Sequence, residues 1–237
     1  MSVSQYFSGF FFGNICLGCG RSNERLDPWL CPDCREELCR LGRDFLMPHP
    51  DVVCLYPMVS LTRRLVHALK YNSMPGLGRY LVQHSSVGQG GEALQCLEEW
   101  GASKIFLPVP LHSARLRERG YNQAEKIANA LALRMSGRVG TFLERQTFRI
   151  SQTTLSAKER EMNVAGAFRI RKKTGSFLSS SLPIVVDDVY TTGATTNACL
   201  YALSTAGVPN GKVCTLIYEQ PTSAALDYVA DSQTEWD

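Results

Sequence analysis

The 237-residue chain lacks long apolar runs, which argues against a membrane-spanning helix, since one needs about 20 mostly apolar residues. Its start, Met1 to Phe12, carries aromatics but no basic flank, so it does not read as a secretory signal. There is no Gly-x4-Gly-Lys-Ser/Thr loop; the Gly211-Lys212 pair is followed by Val213. An acidic strand elsewhere is therefore not half of a Walker-type nucleotide site. A Gly-x-Gly-x-x-Gly dinucleotide fingerprint is missing too. Histidine is scarce, with four residues. His67 falls on a helical stretch and reads as structural, and His49 and His84 read as loop residues. Only His112, inside an arginine-rich segment, stands where it could touch an anion. These absences leave a soluble, cytoplasmic protein without membrane insertion as the expectation.

The apolar share of 44% is enough for a proper core, and the length suits one medium domain with a small appendage. The net charge of +3 hides an asymmetry. Residues 104–173 hold fifteen Lys and Arg against five Asp and Glu, whereas residues 174–237 hold one against seven. A basic middle suggests anionic partners such as pyrophosphate, a phosphosugar or nucleic acid. The expected division is a cysteine module over 1–50, a main domain over 51–220 and an acidic tail over 221–237.

Cysteine is where the front of the chain departs from the ordinary. Cys16-x-x-Cys19 and Cys31-x-x-Cys34 can form two tight knuckles that point four sulfurs at one centre. Gly18 and Gly20 permit the first tight turn, and Pro32 stiffens the second. Four thiolates suit tetrahedral Zn²⁺ and leave no open position, so the site reads as a structural zinc ribbon. An iron–sulfur cluster is another occupant that four thiolates admit. Cys39 is a spare thiol nearby; Cys54, Cys96, Cys199 and Cys214 sit among apolar neighbours and read as buried small hydrophobes.

The most informative stretch runs from Ile184 to Thr195. Ile184-Val185-Val186 reads as a buried parallel strand. It delivers Asp187 and Asp188, followed by Val189, Tyr190, Thr191, Thr192, Gly193, Ala194 and Thr195, and then a helix begins. Ligands of open α/β sheets bind at such carboxyl ends. Free backbone N–H groups and the helix dipole there favour a phosphate, and the threonine hydroxyls add donors. Asp187 and Asp188 cannot hold an anion; they can accept from a ribose diol or face a hydrated Mg²⁺. Phosphate at one end and a diol at the other describe a ribose 5-phosphate.

A second strand, Lys104 to Val109, is ended by prolines and leads into Leu111 to Glu125. Its connecting loop carries Arg115, Arg117 and Arg119, which can clamp pyrophosphate by bidentate contacts. From Tyr121 onwards, Ala124, Ile127, Ala128 and Leu131 mark a helical apolar face.

The Ile184–Thr195 stretch resembles the PRPP-binding motif of type I phosphoribosyltransferases. The chain as a whole resembles the ComF family of competence proteins, from roughly Phe10 to Ile217. The likeness rests on ordered motifs: the Cys-x-x-Cys pairs, Leu69-Lys70-Tyr71, Pro108-Val109-Pro110, Arg119-Gly120-Tyr121-Asn122-Gln123-Ala124, and the acid pair. Gln152-Thr153-Thr154-Leu155, Arg160, Asn163 and Gly166-Ala167-Phe168 belong to the same set. Ile15 departs from the family's usual proline, and residues 84–100 carry no family signature. The resemblance implies a type I phosphoribosyltransferase-like, doubly wound α/β fold with a mostly parallel sheet behind the zinc ribbon. It implies PRPP with Mg²⁺ as ligand, Asp187 and Asp188 as the functional acid pair, and Val189 to Thr195 as the phosphate loop. It also implies that Thr147 to Val164, with Gln152, Lys158 and Arg160, is a flap over PRPP; an exposed helix turn fits that segment equally well.

Two functional classes follow. In one, the chain handles single-stranded DNA during natural transformation, alongside other competence proteins such as a DNA translocase, and keeps PRPP as a bound ligand. Tyr121, Phe142 and Phe148 would then stack bases, unless they are core. In the other, it is an active phosphoribosyltransferase of nucleobase salvage or nucleotide metabolism. The residues do not decide whether transfer occurs.

Overall fold

The computed structural model describes residues 14–45, 49–85, 91–101, 103–146, 166–171 and 181–220. Helix α1 (Pro32–Asp44) follows the cysteine pairs and starts on a proline, which suits a first helical turn. Strand β1 (Val52–Pro57) leads to α2 (Ser60–Tyr71), α3 (Gly76–His84) and α4 (Glu92–Glu99). Next come β2 (Lys104–Pro108), α5 (Ser113–Arg119), α6 (Gln123–Arg134), β3 (Arg138–Val139) and β4 (Leu143–Arg145). After β5 (Phe168–Ile170), the chain closes with β6 (Leu182–Tyr190), α7 (Ala194–Thr205) and β7 (Lys212–Tyr218).

Five strands form one parallel sheet in the order β1-β7-β6-β2-β3. The chain leaves β2 toward the β3 edge but leaves β6 toward β7, so the strand order reverses between β2 and β6. That switch opens a crevice at the carboxyl ends of these two strands. β4 and β5 form a separate antiparallel ribbon, stapled by Arg171 and Arg169 on Glu144.

Period-two alternation sorts the side chains to two faces. Phe106, Ile184, Val186 and Leu55 pack with Ile127, Ala128 and Leu131 of α6 and with Leu65 and Leu69 of α2. Ile105, Leu107 and Val185 pack instead with Ala198, Cys199 and Leu203 of α7. Helices thus cover both faces, which is the doubly wound α/β arrangement expected of the sequence. Ala124, Ile127, Ala128 and Leu131 are the buried face that the helical spacing predicts.

The cysteine module does not stand apart from this core. Cys16, Leu30, Cys31, Cys34 and Leu38 belong to the same apolar cluster as Leu55, Tyr56 and Leu61. Gly18 is needed at the seam, since a Cβ there would lie 2.8 Å from the Cys34 sulfur and from Leu61.

Several local expectations change. The segment after β2 is not a plain loop: Arg115, Arg117 and Arg119 sit on the short helix α5, which Gly120 ends at φ 75°. His84 is the last residue of α3 rather than a loop residue, and it stacks on Tyr80 with ring centroids 3.8 Å apart. Cys54, Cys199 and Cys214 are fully buried, as expected, whereas Cys96 is only half-buried because it falls on the outer side of α4. Tyr121 and Phe142 are half-buried against the two apolar clusters. Phe148 and the flap residues Gln152, Lys158 and Arg160 lie outside the described residues.

Candidate functional site

Strand β6 carries the acid pair at its carboxyl end, and alternation sends the two carboxylates to opposite faces. Asp188 follows Ile184 and Val186 onto the α6 side and is 5% exposed. There its Oδ2 accepts from Gln123 Nε2 at 3.0 Å and meets Lys70 Nζ at 3.2 Å. Asp187 follows Val185 onto the other face and is half-buried. Its Oδ1 accepts from the Asp188 backbone N–H at 2.9 Å. Burial and the neighbouring Asp188 charge push the Asp187 carboxyl up to about 7, against the pull of that N–H, Lys70 and Arg145.

Val189 and Tyr190 complete the strand, and Thr191, Thr192 and Gly193 turn the chain into α7, which begins at Ala194 and Thr195. Gly193 sits at φ 77°, and a Cβ there would lie 2.6 Å from the Tyr190 hydroxyl, so no other residue fits without a shift. No side chain caps α7. Thr192 Oγ1 reaches the Ala194 N–H only at 3.4 Å, and Thr196 donates back to the Gly193 carbonyl at 2.9 Å. The first turn of a 12-residue helix therefore presents N–H groups beside the exposed hydroxyls of Thr191, Thr192 and Thr195.

The Arg119–Ala124 motif closes the crevice from the α6 side, and each position has a physical task. Arg119 is 7% exposed, and its guanidinium carbon lies 5.1 Å from the Tyr71 ring centroid. Tyr121 donates its hydroxyl to the Leu69 carbonyl. Asn122 caps α6 by accepting from the Ala124 N–H at 3.0 Å and donates to the Val109 carbonyl at 3.0 Å. Gln123 then reaches Asp188. Arg115 and Arg117 behave differently, being exposed on α5. His112 accepts from the Ala114 N–H through Nδ1 and so caps α5.

Two functional side chains escaped the sequence reading. Lys70 and Gln123 stand in motifs that were visible as strings, Leu69-Lys70-Tyr71 and Asn122-Gln123-Ala124. Nothing local assigns them to Asp188, because the contacts span 118 and 65 positions of the chain. A lysine on the otherwise apolar last turn of α2 was the available signal.

The four front cysteines gather as the spacing predicts. Their sulfurs all lie within 4.8 Å of one another, and Cys19 and Cys31 are 3.9 Å apart. Zn–S bonds of about 2.3 Å in a tetrahedron place sulfurs roughly 3.8 Å apart, so the set fits zinc. The Cys31 N–H donates to the Cys16 sulfur at 3.2 Å. Burial would raise the Cys16 thiol, yet backbone N–H groups of Cys31, Cys19 and Gly18 bring it down to about 7. Burial and then Cys31 push the Cys34 thiol up. Four thiols this close ionise together only around a cation.

The chain is 30% identical over 200 residues to the DNA utilization protein YhgH of Salmonella typhimurium, covering 76% of this chain and 80% of that one. It is 24% identical over 204 residues to competence protein ComFC of Streptococcus pneumoniae, covering 86% and 87%. The chain belongs to the ComF family. Competence protein F of Haemophilus influenzae is 34% identical over 106 residues, and that match spans 44% of this chain and 46% of the relative. No family model matches the chain. Adenine phosphoribosyl transferase from Trypanosoma brucei superposes at a TM-score of 0.33 and 12% identity, over 80% of this chain and 81% of that one. In this ComF chain no helix among the described residues is long and apolar enough to cross a membrane.

Metal analysis of protein purified without added metal is expected to find one zinc per chain, held by Cys16, Cys19, Cys31 and Cys34. Structural zinc couples about 10–16 kcal/mol of binding to local folding. Cys31→Ser should therefore lose the metal and expose α1 to proteolysis while the parallel sheet stays folded. A chain without stoichiometric metal, or one with an iron–sulfur chromophore, contradicts the assignment.

Proposed function

We propose that this chain binds PRPP with Mg²⁺ at the carboxyl end of β6 and uses its basic middle to handle single-stranded DNA, as a cytoplasmic protein of DNA uptake. The observation that carries the reading is the uncapped α7 N-terminus directly behind an acid pair. The N–H groups and hydroxyls of Thr191 to Thr195 take the 5-phosphate. Asp187 and Asp188 accept from the ribose diol and face the hydrated Mg²⁺ that accompanies the pyrophosphate. Arg115, Arg117 and Arg119 carry the pyrophosphate. Gln152, Lys158 and Arg160 close over the ligand. A structural zinc holds the front module.

The ligand site and the nucleic-acid surface share the arginine helix. Single strands bind through phosphate contacts without reading bases, and Arg138 on the edge strand β3 extends the basic track. The relatives named for competence and DNA utilization support this half of the reading. Other competence proteins, such as a DNA translocase, are the expected protein partners.

A second reading, active phosphoribosyl transfer, has its own support. A cleft of about 350 Å³ opens between Pro110–Leu116 and the β4–β5 ribbon, lined by His112, Leu143, Arg145 and Arg171. It lies beside the carboxyl end of β2 and is roomy enough for an acceptor base. Transfer passes through an oxocarbenium-like state that the acid pair could stabilise.

Calorimetry is expected to show PRPP binding that requires Mg²⁺. Thr192→Ala and Asp187→Asn should each weaken it about ten- to a hundredfold, the value of one charge-assisted contact of roughly 1.5–3 kcal/mol. Wild-type affinity in both variants would mean that the Thr191–Thr195 segment is only a structural turn.

Single-stranded DNA should bind weakly, with affinity falling steeply as salt rises, by a logarithmic slope of about −0.7 per phosphate contacted. Arg138→Glu should weaken DNA binding and spare PRPP, whereas Arg117→Glu should damage PRPP binding. A flat salt response, with release of pyrophosphate in the presence of some base, would favour the transferase.

A further inference from the structure

A small cleft of about 50 Å³ lies between the ends of α2 and α5, lined by Lys70, Tyr71, Ser73, Glu118 and Arg119. Two of these residues are cations drawn out of bulk water. Arg119 is more than nine-tenths buried, and its Nε has no hydrogen-bond partner among the described residues. Its contact with the face of Tyr71 satisfies none of the guanidinium's N–H donors. A buried guanidinium with an idle donor is costly to keep unless an anion completes it. Lys70 is held at the other wall by Asp188, 3.2 Å away, which uses one of its three donor directions. Ser73, at φ 53°, holds the turn after α2 in the left-handed region that residues with a Cβ seldom adopt.

We propose that Lys70 and Arg119 form an anion subsite that takes the diphosphate group of the ligand, and that Asp188 serves chiefly to aim Lys70 into it. The inference deepens the reading of the site as one for PRPP and rests on it. It divides the acid pair. Asp188, engaged by Lys70 and Gln123 on the α6 side, is a positioning residue, and Asp187 is the acid left to face the sugar. It also divides the arginines. Arg115 and Arg117 are exposed and can serve a passing polyanion, whereas Arg119 is enclosed and committed to a single group. Lys70 then senses both halves of the ligand, since the ammonium that steadies Asp188 also meets the diphosphate. Glu118 lines the same cleft and, being acidic and exposed, favours a diphosphate that arrives with Mg²⁺ over a bare one.

The test uses the full chain and two probes, Mg²⁺-pyrophosphate and ribose 5-phosphate, measured by calorimetry. Lys70→Met and Arg119→Met should each lower pyrophosphate affinity about tenfold or more, with a clearly smaller loss for ribose 5-phosphate. Lys70→Arg should recover most of the loss, because the charge returns. Arg115→Met and Arg117→Met should cost less than either. A pyrophosphate affinity that follows Arg115 and Arg117 instead, or that survives both Lys70→Met and Arg119→Met, overturns the subsite. Equal losses for the two probes would mean that Lys70 only supports the fold, and would overturn it as well. A wild-type chain that ignores ribose 5-phosphate yet binds pyrophosphate through Lys70 and Arg119 sinks the PRPP reading and leaves the cleft standing.

Discussion

The arrangement depends on one buried carboxylate and what it holds. Asp188 would be expensive in this position alone, since an uncompensated buried charge costs several kcal/mol. Lys70 and Gln123 compensate it from two different elements, the last turn of α2 and the first turn of α6. Removing one partner of such a pair typically costs about 3–5 kcal/mol, because the other charge is left behind. The surrounding contacts serve the same junction: Tyr121 on the Leu69 carbonyl, Arg119 over Tyr71, and Asn122 between α6 and the end of β2. Three stretches that are remote in sequence thereby close one side of the crevice at the sheet's switch point.

The front module belongs to this logic. Because Gly18, Cys34 and Leu61 meet at van der Waals distance or closer, whatever fixes the four sulfurs also fixes the first turn of α2. Lys70 sits at the other end of that helix. A metal-bound module can therefore steady the ligand site without contributing an atom to it. The fully buried thiols elsewhere play no such part; burial pushes Cys54, for example, up to about 12, and it stays a protonated hydrophobe under Thr215.

Much of this was legible in the residues, and the exceptions share a cause. The run Ile184 to Thr195 announced strand, acids, turn and helix because each step is local: apolar continuity, a glycine that only a left-handed turn requires, and a helix with no cap. The cysteine spacing was legible for the same reason. Lys70 and Gln123 were not, because their importance lies in long-range contacts that no periodicity encodes. The three arginines looked equivalent in a string. Their difference comes from α5, a helix too short to leave a clear pattern, which buries Arg119 and exposes Arg115 and Arg117. The opposite facing of Asp187 and Asp188 was implicit in strand alternation, yet it acquires meaning only once α6 is known to cover one face.

The most direct test of the central claim is a double-mutant cycle on Lys70 and Asp188, read as unfolding free energy in urea. If Asp188 is the anchor described, Lys70→Met and Asp188→Asn should couple by about 1 kcal/mol or more, within the range of contacting polar pairs. Additivity within about 0.3–0.5 kcal/mol would show that the two residues do not support one another, and the account built on their contact would fail.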